Sequence, residues 1–173
     1  MKTDQITLPI DEFPTEWYNV VPDLPEPLPS PKEPETGPSR MEYLNRTMIK
    51  ECLRQEMSSQ RWISIPEEIR ELYIHMGRPR PLYRAKRLEK SLGLKKVKLF
   101  YKREDLSPTG SHKTNTAIAQ AYYAMKEGKK TLSTETGAGQ WGTALAYAAR
   151  LLNLECVVFW VRSVYDWKTD RKT

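Results

Sequence analysis

Two short segments of this 173-residue chain contain residue types and spacings that could do chemistry. The first is SPTGSHKTNTA, in which Lys113 follows His112 where a loop enters a helix. A lysine held beside cationic or apolar groups can lose its proton and form a Schiff base with a carbonyl compound. The alternative is an ordinary lysine in the first turn of a helix, which is common although the helix dipole mildly disfavours it. Local context alone favours that alternative.

The second segment is TETGAGQWG, which is typical of a strand end, a glycine-bearing turn and the start of a helix. Glu135 opens the turn, while Gly137 and Gly139 allow unusual backbone conformations and a close approach to a ligand. The free N–H groups at the start of the helix would suit a carboxylate or a phosphate. The glycine spacing matches no dinucleotide or P-loop fingerprint, so no nucleotide is implied. A tight connection that needs glycine only for its geometry explains this turn equally well.

The elements that must position these residues alternate between strand and helix. Apolar spacing predicts strands over 97–102, 130–134 and 156–161 and helices over 115–127 and 141–152, with Ser111 as N-cap of the first helix. This alternation predicts an α/β fold with an open parallel sheet, helical crossovers and a ligand site at the carboxyl ends of the strands. The last strand is apolar without a break, as in a strand buried on both sides, and an open edge there would favour association.

The first part of the chain is rich in proline. Nine of the 13 prolines lie between Pro9 and Pro38. Proline at this density cannot propagate a helix or an interior strand, so we expect residues 1–38 to form an extended arm and residues 39–173 the α/β part. Within the latter, apolar spacing predicts one helix from Met41 to Leu53 and another around Ile69, begun by Pro66.

The formal charge of +6 raises the question of nucleic-acid binding. Eleven lysines and arginines lie between Arg78 and Arg103, against the single acidic residue Glu89. These charges are spaced as the solvent side of an amphipathic helix, and no nucleic-acid motif is present, so no nucleic-acid partner is expected. The apolar positions of that predicted helix are Leu82, Ala85, Leu88 and Leu92.

Cysteine and histidine usage narrows the class of protein further. Two cysteines and two histidines give neither a disulfide framework nor a zinc-binding spacing, so no metal is expected.

No stretch approaches the roughly 20 apolar residues of a membrane span. The expectation is therefore a cytoplasmic chain without a membrane partner.

The run from Arg78 to Val161 carries a resemblance that covers about half of the chain. It contains K-R-E-D-x-x-x-T-G-x-H-K-x-N followed by E-T-G-A-G-Q. The joint pattern resembles the beginning of tryptophan synthase beta chains, and more closely their second, divergent subfamily, which has a longer Pro-rich N-terminal segment. These are fold-type II pyridoxal-phosphate enzymes, so the resemblance implies pyridoxal 5′-phosphate as cofactor and L-serine and indole as substrates. It also implies a homodimer for the complete enzyme.

The resemblance implies a role for each matching residue. Lys113 would bind the cofactor as a Schiff base and move the proton at the substrate's alpha carbon. Glu135 would be the acid–base residue for departure of the serine hydroxyl and attack by indole. The cofactor would be bound by Lys113, His112, Asn115 and Gln140, and the substrate carboxylate by Thr136, Gly137, Ala138, Gly139 and Gln140.

Two departures from the family pattern qualify the expected activity. Trp141 stands where the main subfamily usually has histidine, which leaves the preferred nucleophile and the need for an alpha subunit open. No glycine-rich segment that could bind the cofactor's phosphate follows Arg162 before the chain ends at Thr173. We therefore expect an amino-terminal part of the enzyme with little or no turnover by itself. The alternatives are a serine or threonine dehydratase of the same superfamily and a non-catalytic remnant that binds a partner.

Overall fold

The computed structural model describes residues 4–167, with Trp167 described by its backbone alone. The seven α-helices of this part are α1 (Arg40–Thr47), α2 (Lys50–Glu56), α3 (Glu67–His75), α4 (Lys86–Ser91), α5 (Lys113–Lys126), α6 (Gln140–Leu151) and α7 (Arg162–Trp167). Its seven strands are β1 (Gln5–Ile6), β2 (Glu16–Tyr18), β3 (Trp62–Ser64), β4 (Leu82–Arg84), β5 (Phe100–Lys102), β6 (Thr131–Thr136) and β7 (Glu155–Trp160). The described part therefore leaves out residues 1–3 of the predicted arm and residues 168–173 of the predicted α/β part.

The central unit is β6–α6–β7, in which the two strands are parallel and aligned from Thr131 opposite Glu155 to Thr136 opposite Trp160. Helix α5 precedes this unit and packs against α6. Both helices bury three alanines, at 117, 121 and 124 in α5 and at 144, 148 and 149 in α6, and these small side chains permit a close contact. The α/β class and the parallel pairing through a helical crossover are thus confirmed. Among residues 4–167, no helix is long and apolar enough to cross a membrane.

The predicted strand over 97–102 does not join the parallel sheet, so this part of the prediction was wrong. Only Phe100–Lys102 forms a strand, and it pairs antiparallel with β4, which pairs on its other side with β1. Phe100 and Tyr101 are exposed, so this strand belongs to a small surface sheet, and Val97, which is also exposed, precedes it. Alternation of side chains specifies a strand but leaves its partner undetermined.

The amphipathic helix predicted between Leu82 and Leu92 is also corrected. Leu82 lies in β4, and α4 covers only Lys86–Ser91. Leu88 and Leu92 are exposed, so this helix has little apolar contact with the core. The apolar residues from Leu82 to Leu92 have helical spacing by coincidence, because they span the junction between β4 and α4.

The predicted helix from Met41 to Leu53 is divided into α1 and α2, because Met48 and Ile49 adopt extended backbone conformations. Helix α3 follows Pro66 as expected. Helix α5 begins two residues before the predicted start at 115, and its C-terminal turn ends at Gly128, whose φ is +75°.

The N-terminal segment lies against the rest of the chain over much of its length. Strand β1 pairs with β4, and β2 pairs antiparallel with β3. Phe13 is only 4% exposed and belongs to the main core, with its ring 6.2 Å from that of Tyr73. Residues 25–38 contain no helix or strand and are exposed. The first half of this segment therefore contributes to the core.

Candidate active site

A cavity of about 330 Å³ lies where the first turn of α5, the end of β6 and the start of α6 meet. Its position next to the carboxyl end of a parallel strand is the usual location of a ligand site in an open α/β sheet. Most of the residues predicted from the two sequence segments line it together. The lining residues are His112, Lys113, Thr116, Glu135, Thr136, Gly137, Ala138, Gln140 and Trp141.

The loop before Lys113 is held by hydrogen bonds between serines. Ser107 Oγ donates to the carbonyl oxygen of Ser111 (2.7 Å) and accepts from its backbone N–H (2.9 Å). Ser111 Oγ in turn accepts from the backbone N–H of Lys113 at 3.1 Å. The helix begins at Lys113 with His112 in the cap position, so the prediction of Ser111 as N-cap is corrected by one residue. These bonds fix the direction in which Lys113 leaves the loop.

The first turn of α5 is also attached to the interior through Asn115. Its amide nitrogen donates to Glu104 Oε2 (3.1 Å), and its amide oxygen accepts from Arg80 Nη1 (3.2 Å). Arg80 is 1% exposed and also forms an ion pair with Glu104 at 3.1 Å. Tyr73 Oη donates to the backbone carbonyl of Asn115 at 2.9 Å. Asn115 therefore does not line the cavity, unlike the other residues predicted to bind the cofactor.

The glycine turn after β6 places the start of α6 beside the cavity. Gly139 caps α6 with φ +90°, a conformation that favours glycine, so this prediction is confirmed. Gly137 does not have positive φ, and a Cβ built on it would meet nothing within 4 Å. The conformational need predicted for Gly137 is therefore absent, although the open space above it remains available to a ligand.

Two further hydrogen bonds fix this turn. Trp160 Nε1 donates to the carbonyl oxygen of Gly137 at 2.7 Å, and Thr136 Oγ1 accepts from the backbone N–H of Gly142 at 3.3 Å. The N–H groups of Gln140 and Trp141 precede the first intrahelical bond of α6 and point out of the helix. Together with the positive end of the helix dipole, they suit an anionic group in the cavity.

The sequence-based prediction missed residues that position the site. A Cβ on Gly142 would lie 2.6 Å from Val158 Cγ1, so this glycine permits close contact between α6 and β7. A glycine inside a helical pattern was the available signal. Ser107 and Thr116 had no distinguishing pattern, because the hydroxyl partners and the shared cavity arise only in the folded chain.

The chemistry of the lining residues fits one wall of a site for pyridoxal phosphate. Lys113 offers an amine for an aldehyde, and Glu135, which is exposed, offers a carboxylate for proton transfer. The N–H groups at the start of α6 offer donors for a carboxylate. Lysine and glutamate extend from different elements, α5 and β6, yet reach the same cavity.

Comparison with known proteins assigns the class. Residues 75–171 match the model of the family described as pyridoxal-phosphate dependent enzyme, so the chain belongs to that family. The predicted cofactor class is thereby confirmed.

Individual relatives of the chain define its place within this family more narrowly. The chain is 55% identical over 170 residues to tryptophan synthase beta chain 2 of Methanothermobacter thermautotrophicus, covering 98% of this chain and 39% of that protein. It is 52% identical over 167 residues to tryptophan synthase beta chain of Thermococcus gammatolerans, with coverages of 96% and 38%. A third relative, tryptophan synthase beta chain 2 of Methanosarcina mazei, is 52% identical over 174 residues, with coverages of 100% and 39%. The resemblance found in the sequence is confirmed, and the chain spans about two fifths of the length of these relatives.

Proposed function

We propose that the protein containing this chain is a tryptophan synthase beta-type lyase, which replaces the hydroxyl group of L-serine with indole to form L-tryptophan. The observation that carries the proposal is that Lys113, Glu135 and all residues of 136–140 except Gly139 line one cavity. The names of the relatives supply the reaction, and the cavity supplies an amine, a carboxylate and a group of N–H donors for it. In the complete enzyme we propose a homodimer, and a separate alpha subunit forms no part of the proposal.

When bound, pyridoxal phosphate supplies an electron sink for negative charge on the substrate carbon next to the amino group. Lys113 would hold the cofactor's aldehyde carbon and move the proton at that substrate carbon. Glu135 would donate a proton to the departing serine hydroxyl and accept one as indole attacks. Residues 136–140 would hold and orient the substrate carboxylate through their backbone N–H groups.

The proposed cofactor ligands beside Lys113 are His112 and Gln140, which line the same cavity. His112 is exposed and would lie near the cofactor phosphate. Asn115 joins this set only if its amide exchanges its bonds to Glu104 and Arg80 for the cofactor. The side chains in place thus favour Lys113, His112 and Gln140.

The deciding experiment is borohydride trapping with pyridoxal phosphate at or below one equivalent, followed by peptide mapping. The modified peptide is expected to contain Lys113, and the label should disappear in Lys113→Ala. Lys130→Ala is the matched control, because Lys130 is exposed and does not line the cavity. Label spread evenly over surface lysines, and unchanged by Lys113→Ala, would refute the role of Lys113.

A second measurement tests the carboxylate site. In ¹H–¹⁵N spectra, L-serine is expected to shift the backbone amide signals of residues 138–141 in preference to those elsewhere. Serinol (2-amino-1,3-propanediol), which has a second hydroxymethyl group in place of the carboxylate, is the control ligand and should leave these signals in place. Product analysis of the complete enzyme with serine, with and without indole, then separates the two lyase reactions, since tryptophan supports replacement and pyruvate alone supports the dehydratase.

A further inference from the structure

Trp141 lines two neighbouring cavities. One is the candidate active site, and the other is a cavity of about 300 Å³ that Lys113 does not line. No other residue in the described part of the chain lines both. Trp141 therefore stands at the boundary between two spaces of similar volume.

The position of the ring is fixed from two sides. Its Nε1 donates a hydrogen bond to Thr134 Oγ1 at 2.8 Å, which ties it to β6. Its backbone lies in the first turn of α6, where Gly139 caps the helix and Gly142 packs closely on Val158. A ring held by both its backbone and its polar end can act as a wall, because rotation away from the boundary would break the bond to Thr134.

The second cavity has a mixed lining with an apolar part that could take an aromatic group. Apolar side chains from the α1–α2 connection, β6 and α6 form that part, namely Met48, Ile49, Leu132 and Leu145, while polar residues such as Arg46, Gln120 and Lys129 line the remainder. The Cys52 thiol also lines it, and burial together with the charges of Glu127 and Glu51 raises the pKa of this thiol to about 11. This cysteine is therefore a neutral, unreactive part of the wall at neutral pH.

We infer that Trp141 is a specificity-determining residue, which limits the size of the reactants that reach Lys113 and Glu135 by closing the active-site cavity against the neighbouring cavity. Removal of the ring joins the two cavities and admits bicyclic aromatic carbonyl compounds. The inference rests on the proposed function, since it takes Lys113 as the amine that reacts with carbonyl groups.

The test compares two aldehydes of different size, glyoxylate and 2-naphthaldehyde, in separate reactions with cyanoborohydride. The Lys113 nitrogen bonds to the carbonyl carbon, the carbonyl oxygen leaves as water, and cyanoborohydride transfers hydride to that carbon while solvent supplies the proton on nitrogen. Label on Lys113 is quantified by peptide mapping and divided by label on the exposed Lys130, which corrects for the intrinsic reactivity of each aldehyde.

Trp141→Ala is expected to raise the ratio of naphthyl to glyoxyl label on Lys113 by about 10-fold or more, the scale at which steric fit discriminates between ligands. Trp141→Leu retains apolar packing in case the alanine variant does not fold, and it should raise the ratio in the same direction. Thr134→Val removes the hydrogen bond that holds the ring and should give a smaller rise. Trp62→Ala is the matched control, because Trp62 is 53% exposed and lines neither cavity.

The outcomes separate the inference from the proposed function. If glyoxylate fails to label Lys113 above Lys130 even in the unchanged chain, the proposed function is contradicted. If glyoxylate labels Lys113 normally and the ratio stays within twofold in folded Trp141→Ala or Trp141→Leu, the inference is overturned. An equal rise in Trp62→Ala would also overturn it, because the effect would then be independent of the boundary.

Discussion

Replacement of Glu104 by glutamine is expected to destabilise the chain more than removal of its partner, Arg80. The two side chains form an ion pair at 3.1 Å, but they differ in burial, at 1% exposure for Arg80 and 23% for Glu104. Burial lowers the pKa of the Arg80 guanidinium while Glu104 opposes that shift, and an arginine remains charged in either case. Glu104→Gln thus leaves a positive charge in the interior without neutralisation.

The magnitudes follow from what each variant leaves behind. An uncompensated buried charge costs about 3–5 kcal/mol in the free energy of unfolding. In Arg80→Met, Glu104 keeps contact with water and still accepts from Asn115 Nδ2, so we expect a loss of about 1–2 kcal/mol. Arg80 Nε has no hydrogen-bond partner among the described residues, and its removal offsets part of that loss.

Urea unfolding followed by far-UV circular dichroism measures both values, and the double variant completes a thermodynamic cycle. We expect the double variant to be less destabilised than the sum of the two single variants, because Arg80→Met removes the charge that Glu104→Gln leaves unpaired. A larger loss in Arg80→Met than in Glu104→Gln, or strict additivity, would refute this account of the network.

Three further predictions concern packing, titration and association. Gly142→Ala should lower the free energy of unfolding by about 1–3 kcal/mol, because the added Cβ would lie 2.6 Å from Val158 Cγ1. Gly137→Ala is the control, since its Cβ would meet nothing within 4 Å. Equal urea midpoints for the two variants would contradict this packing. The pKa of the Cys52 thiol is about 11, so at pH 8 it should carry roughly 100-fold less thiolate than a cysteine whose pKa is 9.0. Iodoacetamide should therefore modify Cys52 slowly in the folded chain. Because the folded state retains this proton to a higher pH than the unfolded state, the contribution of Cys52 to stability should fall as pH rises from about 9 to 11, and Cys52→Ser should reduce that fall. Phe159, which is 64% exposed on β7, should promote self-association, so Phe159→Lys should lower the apparent mass in light scattering, with the exposed Thr131→Lys as control.

The segment from β6 to β7 could be predicted from the sequence because its signals are local. Alternation, the glycine turn and the helical spacing of residues 141–152 all lie within about 30 residues, and a helix that connects two neighbouring strands is the usual connection of a parallel pair. The partner of β5 could not be predicted in this way. Strand pairing with β4 depends on contacts across the fold, and the short stretch of Phe100–Lys102 contains no signal that selects between two sheets.

Lys113 and Glu135 line one cavity, as predicted, but the prediction assumed a position for the strand at 97–102 that the structure does not have. The rule that ligand sites follow the ends of neighbouring parallel strands assumed that 97–102 lay beside β6. In the structure, Lys113 reaches the cavity because α5 packs against α6 and begins near the end of β6. The anchoring of that helix start through Arg80, Glu104 and Asn115 combines three distant parts of the chain, so spacing in the sequence could not reveal it.

The pairing of β1 with β4 and of β2 with β3 has a consequence for the order of assembly. Residues 5–6 meet residues 82–83, and residues 16–18 meet residues 62–64, so these contacts close long loops of chain. Helices α5 and α6 with their two parallel strands are close in sequence and lose less chain entropy on coming together. We expect the glycine turn after β6 and the helix that begins at Lys113 to be structured early in folding, with insertion of Phe13 and the flanking strands as a late and slower step.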